Sequence, residues 1–471
     1  MIELPQLPPE VFAELPEAVR AHITALEQII RTLSAQVAEL SVRVGKNSSN
    51  SSRPPSSDPP HLKPAPPKKP SGKQRGGQPK HPRNDRPLLP PDTVHELRPS
   101  VCGDCAASLS GDDPEPLRHQ VVELPPPRPQ VTEYRRHRLT CPSCGRVTCA
   151  ELPDHAQRGF GPRLQAACGL LSGAYRLSKR AVSAVCTNLL GIPISPAAVC
   201  DLQANTADAL KPAFDAAHAY LADKPVNVDE TSWRQSPKRG WLWVAVAALV
   251  TVFLIRPNRK RGVLTELVGT TPGVITSDRL SVYSHLEGNA RQICWAHLRR
   301  DFQAMIDRGG GGKEIGQELL NHADVILDEW RQVREGSRTR EEFERDDLKL
   351  LQEEINRLLK AGAECGCAPT ATVCTRLLAI EQSLWTFAKV EGVEPTNNAA
   401  ERALRHAVCW RKLSHGTNSA GGSRFVERVL TAVESCRQQG RNVLTFLTDT
   451  IVAHRQGLPT PSLVPISAPP S

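Results

Sequence analysis

The sequence predicts a multidomain α/β protein: a mixed β-sheet core with a helical insertion, preceded by a coiled coil, a zinc-ribbon-like module and a helical, candidate DNA-binding region. Three observations predict it. The 471 residues exceed the roughly 250–300 at which a single hydrophobic core stops growing. Between Val226 and Arg300, short β-rich runs alternate with helical patterns, as a mixed sheet requires. Ahead of them lie a heptad-spaced apolar run and two CxxC pairs.

The formal net charge of +9 and pI near 8.9 suit a phosphate-rich partner, because bound Lys and Arg release that polymer's condensed counterions. Charge alone does not establish such a partner. The N-terminal stretch MIELPQLPPEVFAELPE lacks the positive start and apolar centre of a secretory signal, so a cytoplasmic protein is expected. The longest apolar run, Trp241 to Ile255, is shorter than the roughly 20 residues that span a bilayer and reads as two adjoining strands, so no membrane partner is expected. Fourteen cysteines in a reducing compartment point to metal where they are spaced in pairs and to packing where they are scattered.

Residues 1–46 form the first unit. Val19, Ile23, Leu26, Ile30, Leu33, Val37, Leu40 and Val44 recur at steps of four and three, the seam of a coiled coil. Such a helix needs a partner, either a second copy, giving a homo-oligomer, or the chain's own body. Residues 47–95 are rich in Pro and Ser with almost no large apolar side chain, so burial cannot offset their ordering entropy. This basic linker carries Lys63, Lys68, Lys69, Lys73, Arg75, Lys80 and Arg83, which suit either a DNA backbone or a solvated spacer.

Residues 96–152 contain Cys102, Cys105, Cys141 and Cys144, two CxxC turns separated by 35 residues that hold alternating runs at Gln120–Leu124 and Val131–Tyr134. Each turn brings two thiolates to one side, and two turns supply the four soft donors of a structural Zn²⁺. Residues 153–222 read as helices. Ser178–Val185 and Ile194–Cys200, joined around Gly191, have the outline of a helix-turn-helix, and equally of a helical packing domain.

The core is expected in residues 223–308 and 393–455. Val226-Asn-Val-Asp-Glu alternates, so Val226 and Val228 face one way and Asn227 and Asp229 the other. Trp241–Val246 and Thr251–Ile255 complete a three-strand meander. A helix near Leu264–Val268 precedes Gly273-Val-Ile-Thr-Ser-Asp278, a buried-type strand ending in a second acid; Ala290–Cys294 is a fifth strand, and Trp295 opens a helix. The third acid, Glu401, lies in the first turns of a helix capped by Thr396 or Asn397, where it also fits a capping partner of Asn398 or a mate for Arg405.

Three acids on one scaffold suit phosphodiester cleavage. That reaction needs an activated oxygen nucleophile and a neutralised leaving group, which two metal ions roughly 3.5–4 Å apart provide, and Mg²⁺ takes oxygen ligands. The 122 residues between Asp278 and Glu401 imply an insertion, placed at 309–392. Gly309 to Gly312 read as its flexible beginning. Ser337–Lys360 reads as one charged helix of an antiparallel hairpin, turning at Gly362–Pro369. The tail at 456–471, rich in Pro and Ser, is expected to be disordered.

These residues resemble the insertion-sequence-66 (TnpC-type) bacterial transposases. The resemblance is carried by Val228-Asp-Glu-Thr231, Ser277-Asp278 with Tyr283, Cys294-Trp-Ala-His-Leu-Arg-Arg300, and Asn397-Asn-Ala-Ala-Glu-Arg-Ala-Leu-Arg405 with Arg411-Lys412 beyond. It extends to the coiled coil, the Lys46-Asn-Ser-Ser linker and the CxxC pairs. It implies a ribonuclease H-like catalytic core of the DDE type, with Asp229, Asp278 and Glu401 binding Mg²⁺ or Mn²⁺, water as the first nucleophile and a DNA 3′-hydroxyl as the second. It also implies terminal inverted repeats and target DNA as partners, possible need for companion proteins of the element, and a bacterial, nucleoid-associated location when bound. Cys294 and His297 become candidates for an accessory role, with a core cysteine and a helix-surface histidine as the alternative. Arg402, Arg405 and Lys412 become candidates for DNA contact, with a solvated helix face as the alternative.

Two other classes fit the same residues. A zinc-containing DNA-binding regulator with a non-catalytic core would bind DNA without Asp229. A metal-dependent nuclease would cut DNA and join nothing.

Overall fold

The computed structural model describes residues 8–47, 51–53, 86–270, 272–286 and 288–465. Two helices open it, α1 (Pro9–Glu14) and α2 (Glu17–Gly45). Most of the apolar stripe of α2 stays exposed, from 38% at Ile30 to 83% at Val44, with Ile23 half-buried, so the described residues do not cover it. Of the basic linker, residues 54–85 lie outside the described residues, and with them all seven of its cations named above. Ser51 is buried and the Ser52 N–H donates to Asp307 at 3.0 Å.

In the cysteine module, strands β1 (Arg138–Thr140) and β2 (Val147–Cys149) form an antiparallel hairpin beside the second CxxC. The two CxxC turns share one backbone pattern: Ala106 N–H donates to the Cys102 carbonyl at 3.1 Å and Gly145 N–H to the Cys141 carbonyl at 2.9 Å. Gly145 sits at φ 72°, a conformation that favours glycine. The alternating runs at 120–124 and 131–134 lie outside regular structure.

Four helices follow: α3 (Pro162–Gly173), α4 (Lys179–Leu190), α5 (Pro196–Ala209) and α6 (Lys211–Tyr220). Ser178 and Ser195 cap α4 and α5 by accepting the N–H groups of Ala181 and Ala198. Gly191, at φ 66°, ends α4. Cys168, Val182, Cys186, Ile194, Val199 and Leu202 bury a small core among α3, α4 and α5.

The sheet comprises β3 (Val226–Gln235), β4 (Lys238–Val246), β5 (Thr251–Arg256), β6 (Ile275–Ser277) and β7 (Arg291–Ile293), with helix α7 (Arg261–Val268) after β5. Its order is β5-β4-β3-β6-β7. The first three strands form an antiparallel meander, and β6 and β7 continue it in parallel with β3. From the last strand the chain enters α8 (Trp295–Arg308).

The insertion contains the expected hairpin, Lys349–Ala363 against Ala368–Leu378, and adds further helices to it. It holds α9 (Gly312–Arg334), α10 (Arg340–Phe343) running through a π turn at Glu344–Leu348 into α11 (Lys349–Ala363), then α12 (Ala368–Leu378) and the short α13 (Thr386–Lys389). The glycines read as a flexible beginning are a packed turn. Gly309 and Gly310 adopt φ of 75° and 64°, while a Cβ on Gly311 would lie 2.7 Å from the Cys365 carbonyl oxygen. This unit has its own core of Phe302, Met305, Leu319, Trp330, Phe343 and Phe387, joined by Ile293 and Trp295 from the sheet's end.

Three helices close the molecule: α14 (Asn398–Ser414), α15 (Ala420–Gln438) and α16 (Val443–Arg455). One face of α15 covers the free edge of β5. Glu427, Thr431 and Ser435 accept the backbone N–H groups of Ile255, Phe253 and Thr251 at 2.6, 3.1 and 3.0 Å. These are the donors that an uncovered edge strand leaves unpaired. The tail, expected to be disordered from 456, is instead packed as far as it is described: Leu463 is 1% exposed, and its carbonyl accepts from Gln439 at 2.7 Å. Residues 466–471 lie outside the described residues.

Candidate active site

The alternation of β3 aims Asp229 at the side of the sheet covered by α14, while its neighbour Glu230 points to the other side. Asp278 follows β6, the strand beside β3, where its carboxylate accepts the Leu280 N–H at 2.9 Å. Glu401 lies in the first turn of α14. The fold thus brings together acids separated by 48 and 122 residues of chain. Burial, the charge of Glu230 and the nearby charges of Asp278 and Glu401 push the Asp229 carboxyl up to about 8. The Glu401 Oε1 atom is buried and has no hydrogen-bond partner among the described residues.

His297 lies in the first turn of α8, with its Nδ1 3.8 Å from Glu401 Oε1. Among the described residues that nitrogen is also buried without a hydrogen bond, and burial together with Arg300 lowers the ring's pKa despite the acids. Cys294 has a different place. It is fully buried, its thiol pushed up to about 11 by that burial, and its Sγ accepts the Asn397 N–H at 3.1 Å. It joins the starts of α8 and α14 and presents no reactive thiolate.

Asn397 was read from the sequence only as a cap. In the structure it is fully buried, and its Nδ2 donates to the Val228 carbonyl at 2.8 Å. It therefore ties the residue before Asp229 to the start of the helix bearing Glu401. Glu230 was also overlooked. Its nearly buried carboxylate accepts the Tyr283 hydroxyl at 2.9 Å and faces Arg259 at 3.4 Å. Arg291 Nη2 donates to the Asp278 carbonyl at 2.8 Å, and Arg279 pairs with Asp301 of α8 at 2.7 Å. The adjacent Asp-Glu pair on one strand was the available clue, because neighbours on a strand serve opposite faces.

Arg402, Arg405 and Lys412 are exposed on α14, and no hydrogen bond or ion pair holds their side chains among the described residues. Arg411, by contrast, reaches back to β3 and donates to Thr231 Oγ1 at 3.1 Å and to Ser232 Oγ at 2.6 Å.

In the cysteine module, backbone N–H groups within each CxxC turn lower the pKa of Cys102 and Cys141. Such turns suit paired thiolates facing a soft cation. The three acids offer only hard oxygen donors, and the unpartnered Glu401 Oε1 among mutually repelling carboxylates suits Mg²⁺ or Mn²⁺. Among the described residues, no group of three or more His, Cys, Asp or Glu is drawn tightly enough to enclose an ion. Both assignments therefore rest on donor chemistry and placement. No helix among the described residues is long and apolar enough to cross a membrane.

Comparison with known proteins matches residues 161–424 to the family described as transposase IS66 family. Residues 99–145, which span both CxxC pairs, match the zinc-finger binding domain of transposase IS66. Residues 6–87 match a family of unknown function, DUF6444. Two relatives come from Sinorhizobium fredii (strain NBRC 101917 / NGR234). The uncharacterized protein y4hP is 24% identical over 413 residues, 77% of this chain and 72% of its own length. The uncharacterized protein y4qI is 24% identical over 246 residues, 47% of this chain and 45% of its own length.

Proposed function

Because the chain belongs to the IS66 transposase family, we propose that it is a DDE-type DNA transposase that cuts and joins the ends of an insertion sequence using Asp229, Asp278 and Glu401. One observation carries the catalytic assignment: burial, then the charge of Glu230 and those of Asp278 and Glu401, raise the Asp229 carboxyl, beside a buried Glu401 oxygen that has no hydrogen bond among the described residues. Such a site favours cations and is poorly explained as structural packing. The strand order, a meander continued by two parallel strands with an acid on the first and another after the fourth, supports the ribonuclease H-like reading.

Asp229, Asp278 and Glu401 would hold two Mg²⁺ or Mn²⁺ ions, which when bound neutralise charge on the attacking and leaving oxygens. The protein's own residues position the acids. Asn397 registers β3 against α14, Cys294 locks α14 to α8, and Arg291 anchors the Asp278 backbone. His297 lies against Glu401 as a neutral ring, suited to orienting that carboxylate. Arg402, Arg405 and Lys412 would follow DNA phosphates along α14. The CxxC pairs would bind one structural Zn²⁺, and the exposed α2 stripe would pair with a second copy as a coiled coil. The divisions at 46, 95, 152, 222, 308, 392 and 455, a cytoplasmic, nucleoid-associated location and a need for companion proteins belong to the same reading.

The test is Mg²⁺-dependent cleavage and joining of DNA carrying the element's ends, with Asp229→Ala, Asp278→Ala and Glu401→Ala at equal folded concentration. Each substitution should abolish both activities and leave DNA binding. Survival of activity would refute the assignment, and cleavage without joining by the wild type would make it a nuclease.

A further inference from the structure

The far end of the β3–β4 hairpin holds a cavity of about 610 Å³ outside the three acids, lined by Ser232, Trp233, Arg234, Arg239, Trp241 and Arg411 among others. Its register is informative. Arg234 lies directly across from Arg239, and Ser232 from Trp241, so these four side chains share one face of the sheet. Two like charges directly opposite each other destabilise a strand pair. Both arginines are exposed, and no acidic partner holds either among the described residues. No carboxylate lines the cavity.

The remaining walls are fixed in place. Trp233 is 2% exposed, with its Nε1 donating to Thr417 at 3.2 Å. The Arg259 guanidinium lies 4.0 Å from the Trp241 ring centroid and orients the indole. Arg411 is held by Thr231 and Ser232. Guanidinium groups match phosphate oxygens in a bidentate fork, and an indole offers a stacking face to any base. Phosphate and a planar ring together describe a nucleotide.

The cavity and the acids share elements but not a face. Ser232 is three residues beyond Asp229 on β3, about 10 Å at the rise of a strand, and its side chain leaves the opposite side of the sheet. Arg411, ten residues beyond Glu401 on α14, reaches from the acids' side to Ser232.

We propose that this cavity binds one unpaired nucleotide of the DNA, on the face of the sheet away from Asp229, with Arg234 and Arg239 on its phosphate and Trp241 against its base. The proposal rests on the DNA transposase reading and adds a site that the three acids do not require.

The experiment measures binding, by fluorescence anisotropy at 50 and 200 mM salt, of the full-length protein to end DNA that is either fully paired or carries a single unpaired nucleotide placed at successive positions from the end. The wild type should prefer the unpaired form. Trp241→Ala should abolish that preference, a loss of about 5- to 150-fold on the scale of base–aromatic stacking, and Trp241→Phe should restore most of it. Arg234→Ala with Arg239→Ala should weaken binding to both forms and lower the salt slope by about two, and the paired Lys substitutions should recover the slope. Wild-type binding that shows no preference, or that these variants match, overturns the proposal alone. A wild type that binds no DNA overturns both the proposal and the functional reading beneath it.

Discussion

Asn397→Ala removes a side-chain bond that ties the backbone beside Asp229 to the helix of Glu401. The Val228 carbonyl then loses its donor in a fully buried setting, which costs about 1–3 kcal/mol. Loss of the unpartnered Asn397 Oδ1 offsets part of this, leaving a net cost of about 2 kcal/mol. A core with about 5–15 kcal/mol of stability remains folded at 25 °C after such a loss. The acids, however, lose their register, and a shift near 1 Å costs about 100-fold in rate. The assay is single-turnover cleavage at saturating end DNA, alongside urea unfolding and DNA affinity. The expected result is a modest fall in urea midpoint, unchanged affinity and a rate about 100-fold lower. Cleavage within threefold of wild type at equal folded concentration would refute the idea that Asn397 positions the site.

Two more outcomes follow from particular bonds. Thr431→Val keeps the volume but leaves the buried Phe253 N–H without an acceptor, so urea unfolding should show a loss of about 1–3 kcal/mol while cleavage at 25 °C persists; an unchanged midpoint would mean that the helix does not satisfy the strand edge. Metal analysis of the purified chain should find one zinc per protomer, and Cys102→Ser with Cys141→Ser should remove it and expose residues 99–145 to proteolysis while the sheet domain stays resistant; zinc retained in full by that variant would exclude these thiols as ligands.

The meander was legible because Val226 to Ile255 carries the period of a strand and little else. Asp229 could be placed on a strand, and Asp278 at the end of one, for the same reason. The entry to the insertion was misread because four consecutive glycines resemble a flexible joint. What they do depends on Cys365 and Thr370, more than fifty residues away in the chain. The same limit hid Asn397. A polar residue before a helix is ordinarily a cap, and only the strand lying behind it makes it a buried tie. The role of Glu230 was masked by the prominence of Asp229, although strand alternation already separated the two.

The contact between α15 and the edge of β5 works as a vernier. Acceptors four apart on a helix advance about 6.0 Å, while donors two apart on a strand advance about 6.7 Å. Over the three bonds from Ser435 to Glu427 the mismatch is about 1.4 Å in total, which side-chain rotation absorbs, and a fourth bond would exceed it. Edge strand and covering helix are therefore matched over the length at which two incommensurate rulers still agree. One residue inserted into α15 between Glu427 and Ser435 would turn its far half by about 100° and break the match. Length changes in this family's chains are thus expected to accumulate in the linker and the insertion, and to spare this helix.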